Sequence, residues 1–188
     1  ADLKDALDDG GEEPYFLGSL VLVKPREEAV SDVIDGQQRL TTLTILLAVL
    51  RDLVTHEALV ADIGRVIEHP ASTWDDDDKA WLRLTLRDQD APFFADHVQR
   101  GNTAEIAHAH PENDAQQAIV TNTKALRGEL TKDEWTQERL SALYKLLLKN
   151  TYLVVVTTEN ATSAYRIFAV MNARGLPLEP ADVFKSKV

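Results

Sequence analysis

The fold of this chain is decided by one stretch, Val33-Ile34-Asp35-Gly36-Gln37-Gln38-Arg39-Leu40-Thr41-Thr42-Leu43. A short β-branched run enters an acidic-glycine turn, and a polar cluster then leads into a long apolar helix. Gly36 lets the backbone turn sharply and lie close to a ligand. We therefore predict a strand, a turn and a helix, with the polar residues at the helix N-terminus. Unpaired N–H groups and the positive end of the helix dipole favour an anion there, most naturally phosphate.

The charged side chains of this stretch allow several roles. Arg39 carries a planar fork that matches phosphate or carboxylate. Asp35 can cap the helix, hold Arg39, or reach a metal ion or a ribose hydroxyl. The same residues also fit a capped helix start with an Arg39–Asp35 pair and no ligand at all.

Composition limits the classes of function. The formal net charge of −11 argues against a broad nucleic-acid-binding face but leaves room for a small basic pocket. The chain has no cysteine, which excludes disulfides and thiolate metal sites. Its apolar runs are too short to span a membrane, so we expect a soluble cytoplasmic protein with no membrane partner. Because the chain opens without Met and stops inside an apparent helix, we also expect it to be a fragment of a longer protein.

Residue patterns predict an α+β fold, in which a small mixed sheet packs on a central helix and a mainly helical part follows. The helix over 36–56 is apolar on most sides, which is typical of a core helix. The predicted strands lie near 15–23, 31–35, 81–86 and 151–157, with the second antiparallel to the first. We expect three segments: a nucleotide-binding core (1–56), a mainly helical insertion (57–150), and a strand and helix that return to the core (151–188).

A second polar stretch lies near the C-terminus and comprises Phe168, Asn172, Arg174, Gly175, Leu178, Asp182 and Lys185. We predict a helix from Thr162 to Met171, followed by a turn in which Gly175 suits the left-handed position after a helix, so Asn172 and Arg174 are expected to lie in a loop. Asp182 and Lys185 are three residues apart on one face of the next predicted helix. A helix–turn–helix corner with a local salt bridge also explains this pattern.

Both stretches resemble those of one family. The phrase Asp35-Gly36-Gln37-Gln38-Arg39-Leu40-Thr41-Thr42-Leu43, preceded by Tyr15-Phe16-Leu17-Gly18-Ser19, is similar to the N-terminal domain of GmrSD-type, modification-dependent restriction systems. The pattern from Phe168 to Lys185 resembles the second motif of that family. The resemblance implies a ParB-like and sulfiredoxin-like domain that binds a nucleoside triphosphate (GTP, ATP, CTP or UTP, not distinguished) with Mg²⁺, and hydrolyses it.

Site residues carried over from the family fall into four groups. The resemblance implies catalytic roles for Asp35, Gln37, Gln38 and Arg39; nucleotide or phosphate contacts for Gly36, Arg39, Thr41, Asn172, Arg174 and Lys185; a supporting role for Asp182; and a metal contact for Asp35. Gln37 or Gln38 would orient the attacking water. In the full-length protein the implied partners are modified double-stranded DNA and a downstream HNH-type nuclease domain. Homo-oligomerisation is left open.

Two departures from the family pattern matter. The family carries a Tyr-x-x-Gln-Arg-Pro-type segment before its first helix, and this sequence lacks it. The nuclease domain is also absent, so we expect no DNA cleavage by these residues. The alternative to a nucleotide-hydrolysing regulator is a sensor that binds the backbone of modified DNA through Arg39 and Arg174 without turnover. A third alternative is an interaction module in which both motifs only brace the fold.

Overall fold

A computed structural model describes residues 2–11, 13–27, 29–72, 74 and 79–173 and has the predicted α+β fold. The strands are β1 (Tyr15–Val23), β2 (Asp32–Asp35), β3 (Glu68–His69), β4 (Trp81–Leu82) and β5 (Thr151–Thr158). The α-helices are α1 (Asp2–Asp8), α2 (Gln37–Leu53), α3 (Glu57–Ile67), α4 (Ala91–Phe94), α5 (Asp114–Leu130), α6 (Gln137–Lys149) and α7 (Ala161–Ala173). A π-helical turn, Ala95–Gln99, continues α4, and a 3₁₀-helix covers Thr103–His108. Across the described residues, no helix combines the length and apolar character that a membrane crossing demands.

The chain divides into two compact units. The helical unit comprises residues 1–15 and 38–151, and the sheet unit comprises residues 16–37 and 152–188. Charge is divided unequally between them: the helical unit has 24 acidic and 14 basic residues, whereas the sheet unit has seven and six. Nearly all of the net negative charge therefore belongs to the helical unit. The three-segment organisation expected from the sequence stays a prediction.

Helix α2 is central to the core of the helical unit, in agreement with its apolar sequence. Its buried residues are Ile45, Leu46, Ala48, Val49 and Leu50. They belong to one cluster that includes Ile63 of α3, Val120 of α5 and Leu143 of α6. A helix that is apolar on most sides needs neighbours on most sides, and these helices supply them.

The sheet unit is built on a three-stranded mixed sheet in the order β2-β1-β5. β1 and β2 are antiparallel, as predicted. β5 runs parallel to β1, because the N–H of Tyr15 donates to the carbonyl of Asn150 at 2.6 Å and the N–H of Lys24 donates to the carbonyl of Thr158 at 2.8 Å. A parallel neighbour requires a long crossover, and the residues between β2 and β5 provide it.

Helix α7 covers part of this sheet. Ala164, Ile167 and Met171 of α7 pack in a cluster with Val21 and Val23 of β1. The helix begins after Asn160, whose side-chain oxygen accepts a hydrogen bond from the N–H of Ser163 at 2.9 Å. This is the N-cap arrangement that asparagine favours.

The prediction that a strand over 81–86 belongs to the main sheet is wrong. Only β4 forms, and it pairs with β3 in a separate two-stranded sheet. The partner strand β3 is short for two reasons. Helix α3 ends immediately before it, and Pro70, which follows it, has no N–H to donate to a neighbouring strand. The carbonyl of Leu84 instead accepts a hydrogen bond from Nε2 of Gln99 at 2.9 Å. The apolar alternation of this segment reflects packing of Leu84 and Leu86 against the core.

Candidate functional site

The junction between β2 and α2 has the strand–turn–helix form that the sequence predicts. β2 ends at Asp35, α2 begins at Gln37, and Gly36 between them has φ = 95°. Residues with a Cβ rarely adopt this conformation, whereas glycine does so without strain. Gly36 therefore sets the direction in which the chain enters α2. It occupies the position immediately before the helix, so Asp35 lies one residue further out.

A β-bulge lies directly before this turn. Val21 pairs with Asp35 and Leu22 pairs with Val33, so Ile34 is an extra residue on β2. A bulge interrupts the ladder, increases the local twist and re-aims the residues that follow, and bulges are frequent next to functional sites. The bulge is not predictable from the sequence, because it depends on register between two strands and no residue type here requires one.

The side chain of Gln37 fastens the turn to the strand. Its Nε2 donates a hydrogen bond to the carbonyl oxygen of Val33 at 2.7 Å. The bond links residues four apart and closes a ring around Ile34, Asp35 and Gly36. The bulge and the glycine turn are thus enclosed by one contact from the first residue of α2.

The first turn of α2 contains no acidic residue. No carboxylate in this turn therefore neutralises the positive end of the helix dipole. The side chains of Gln37 and Gln38 are exposed, and those of Arg39 and Thr41 are partly buried. The N–H groups of the first four residues of a helix have no partner four residues earlier in the helix. These N–H groups, together with the guanidinium of Arg39 two residues into the helix, are chemically suited to bind an anion.

The second predicted stretch lies mostly beyond the described residues. Arg174, Asp182 and Lys185 are among residues 174–188, which lie outside them. The backbone of Asn172 belongs to the last turn of α7. Its expected position in a loop is wrong, because α7 continues two residues past Met171, where the prediction ended it. The proximity of the two stretches therefore stays a prediction.

The metal role of Asp35 likewise stays a hypothesis. Within the described part of the chain, no group of three or more His, Asp or Glu side chains is arranged to hold a metal ion. Asp35 supplies a single carboxylate at the end of β2. One carboxylate suits Mg²⁺ that is bound mainly through substrate phosphates and water, which is the usual way proteins hold this ion.

A separate cavity of about 550 Å³ lies in the helical unit, and its lining residues include Arg51, Asp52, Glu68 and Arg100. No pattern in the sequence distinguishes these residues. Arg100 forms an ion pair with Glu68, and Nε of Arg51 donates to Asp52 at 2.9 Å. The other carboxylate oxygen of Asp52 accepts hydrogen bonds from the N–H and the hydroxyl of Thr103, both at 2.7 Å. Because these charges satisfy one another, the arrangement favours a structural role over ligand binding.

Arg51 also holds the chain after the π-helical turn. Its guanidinium donates to the carbonyl oxygens of Val98 at 3.3 Å, Gly101 at 2.6 Å, and Gln99. Carbonyls at the end of a helix lack helical partners, and a cation is well suited to them. No local sequence signal links Arg51 to residues almost 50 positions later, so this contact was not predictable.

Asp90 is the most buried acidic residue among the described ones, with 2% of its surface exposed. Burial by itself raises the pKa of a carboxyl group, but hydrogen bonds from Arg87, Asn113 and Gln116 outweigh it and hold the pKa of Asp90 below its usual value. Asn113 donates at 2.8 Å and Gln116 at 3.4 Å. The cluster joins the start of α4 to the start of α5 and is fully paired, which indicates a structural role.

These observations define the molecule as an α+β domain whose β2–α2 junction combines a bulge, a glycine turn and the start of a core helix. Over residues 1–188, the sequence matches the family described as the GmrSD restriction endonuclease, N-terminal domain. The chain belongs to this family, as the resemblance of its two stretches implied. Comparison with curated proteins yields no match.

Proposed function

We propose that the β2–α2 junction binds the phosphates of a nucleoside triphosphate, and that the domain hydrolyses the nucleotide to regulate a nuclease domain of the full-length protein. The observation that carries the proposal is the positive φ of Gly36 immediately before α2. A glycine turn at a helix start allows phosphate oxygens to approach backbone N–H groups without a Cβ in the way. The name of the family, which includes a restriction endonuclease, supports the link to a nuclease.

The charge distribution supports a local anion site. The net charge of −11 belongs to the whole chain, whereas residues 36–51, which form the turn and most of α2, contain Arg39 and Arg51 and no acidic residue.

Side chains of the first stretch then take defined roles. Backbone N–H groups of α2 and the guanidinium of Arg39 bind the phosphates, and Thr41 adds a hydroxyl. Asp35 holds Arg39 or offers a carboxylate to the Mg²⁺ that accompanies the nucleotide. An amide from Gln37 or Gln38 orients the attacking water. The stretch lacks a Walker loop, so the chemistry of P-loop enzymes does not apply.

The second stretch supplies the remaining contacts. Arg174 and Lys185 neutralise phosphate charge, Asn172 donates or accepts a hydrogen bond at the nucleotide, and Asp182 orients Lys185. Loss of one charged phosphate contact is expected to cost about 1.5–3 kcal/mol of binding free energy. The two stretches are over 130 residues apart in sequence, so the proposal requires tertiary contact between them.

The direct test is thermal unfolding with GTP, ATP, CTP and UTP, each with and without Mg²⁺. A nucleotide at 100 times its dissociation constant adds about 2.7 kcal/mol to the free energy of unfolding, which raises Tm by about 5–10 °C for a domain of this size. We expect one nucleotide to produce this shift in the wild-type protein and not in Arg39→Ala. Arg26→Ala is the matched control, because Arg26 is exposed and forms an ion pair with exposed Glu159. No shift with any nucleotide contradicts nucleotide binding.

A second candidate function is binding of the DNA backbone without nucleotide turnover. The family name favours it, since a restriction endonuclease acts on DNA. This function predicts that affinity for modified double-stranded DNA falls steeply with salt, and that the slope decreases in Arg174→Ala. Salt-dependent DNA binding together with no nucleotide-induced shift would favour this function over the first.

A further inference from the structure

The ring closed by Gln37 contains every unusual backbone feature of the junction. Ile34 is the extra residue of the bulge, Gly36 has φ = 95°, and Asp35 lies between them. The hydrogen bond from Nε2 of Gln37 to the carbonyl of Val33 spans all three at 2.7 Å. Both ends of this bond lie within the sheet unit, so the ring is a local structure.

Such a ring restricts a segment that would otherwise be free to change conformation. Glycine has the largest choice of backbone conformations, and a bulge removes ladder hydrogen bonds from the residues around it. The bond from Gln37 replaces part of the lost restraint. It restrains the backbone between Val33 and Gln37, the first residue of α2.

We propose that Gln37 is a positioning residue, which holds Asp35 and Gly36 in the conformation that binds phosphate, while Gln38 contacts the attacking water. This inference rests on the proposed nucleotide function and assigns different roles to two adjacent glutamines. The side-chain amide of Gln37 donates a hydrogen bond to the carbonyl of Val33. Gln38 is exposed at the next position of the helix, one residue from the end of the ring.

The two roles separate in steady-state kinetics. Methionine has nearly the shape of glutamine without its amide, so Gln37→Met and Gln38→Met are matched variants. We expect Gln37→Met to raise KM for the nucleotide about three- to tenfold with kcat within about twofold of wild type, because it weakens a hydrogen bond that prepares the binding conformation. We expect Gln38→Met to lower kcat about tenfold or more at nearly unchanged KM. A fall in kcat at unchanged KM in Gln37→Met would overturn the positioning role.

A measurement without nucleotide keeps the inference separate from the proposed function. The backbone order parameter of Gly36 from NMR relaxation is expected near 0.85 in wild type and Gln38→Met, and below about 0.6 in Gln37→Met. If wild type binds no nucleotide, the proposed function fails, and this comparison still decides whether Gln37 holds the turn. An order parameter of Gly36 that is unchanged by Gln37→Met would overturn the inference even if nucleotide binding is found.

Discussion

Nη2 of Arg51 donates a hydrogen bond to the carbonyl oxygen of Gly101 at 2.6 Å and so joins the last turn of α2 to the chain that follows the π-helical turn. We predict that Arg51→Met, which keeps most of the aliphatic stem, lowers the free energy of unfolding by about 2–4 kcal/mol, because several carbonyls lose a charged donor. Equilibrium unfolding in urea measures this difference. Arg26→Met, at an exposed ion pair, should change the free energy by no more than about 0.5 kcal/mol. Similar values for the two variants would contradict the structural role of Arg51.

Gly101 itself has no space for a side chain. A Cβ at this position would lie 2.0 Å from the carbonyl oxygen of Asp96. Gly101→Ala should therefore destabilise the protein by about 1–3 kcal/mol or more, through displacement of the backbone. Gly128→Ala in α5 is the control, since a Cβ there meets nothing within 4 Å and alanine favours a helix by about 1 kcal/mol over glycine. Urea unfolding of both variants should give changes of opposite sign.

Gly36→Ala tests the turn at the candidate site. Alanine at φ = 95° is strained, so we expect a loss of about 1–2 kcal/mol of stability, together with loss of the nucleotide-induced rise in Tm. Circular dichroism should show the same helix content as wild type, because α2 packs through residues further along. A full nucleotide-induced shift in Gly36→Ala would show that the turn conformation is not needed for binding.

The hydrogen bonds of Asp90 predict a stability loss in acid. Because the pKa of Asp90 is lower in the folded protein than its usual value of 3.8, its stabilising contribution is present above about pH 4 and is lost as the pH falls through the folded pKa. Asp90→Asn should be less stable than wild type by about 1–3 kcal/mol at pH 7, and the difference should shrink below pH 4. Urea unfolding across this range tests it, with exposed Asp88→Asn as the control for loss of one charge. A difference that is independent of pH would contradict the assignment.

Tyr144 predicts a change at the alkaline end. Burial, and secondarily the hydrogen bond from its hydroxyl to Asp62 at 2.9 Å, raise the pKa of Tyr144 to about 12. Because the pKa of Tyr144 is raised in the folded protein, the stabilising contribution of Tyr144 is fully present below its unfolded pKa of about 10. This contribution is lost as the pH rises from about 10 to 12. A titration followed by the absorbance of tyrosinate should show one group that ionises near pH 12 in the wild type and is missing in Tyr144→Phe. Ionisation of that group near pH 10 would contradict the burial argument.

Some of the candidate site was predictable from sequence because it depends on neighbouring residues. Gly36 between a β-branched pair and an apolar helix predicts a sharp turn, and the structure has one, with φ = 95° at Gly36. The roles of Arg39 and Thr41 at this site stay predictions. The bulge at Ile34 and the bond from Gln37 to Val33 were not predictable, because both depend on how β2 pairs with β1.

By itself, the sequence determined the α+β class, the family, the β1 and β2 strands, and α2 as a core helix, since backbone preference and apolar periodicity act over a few residues. Tertiary structure decided the pairing of β4 with β3 outside the main sheet, the continuation of α7 past Met171, and the attachment of Arg51 to the chain near Gly101. These features require residues far apart in the chain to meet. The free energy of such contacts depends on register, neighbouring side chains and loop closure, and none of these is encoded in a local pattern.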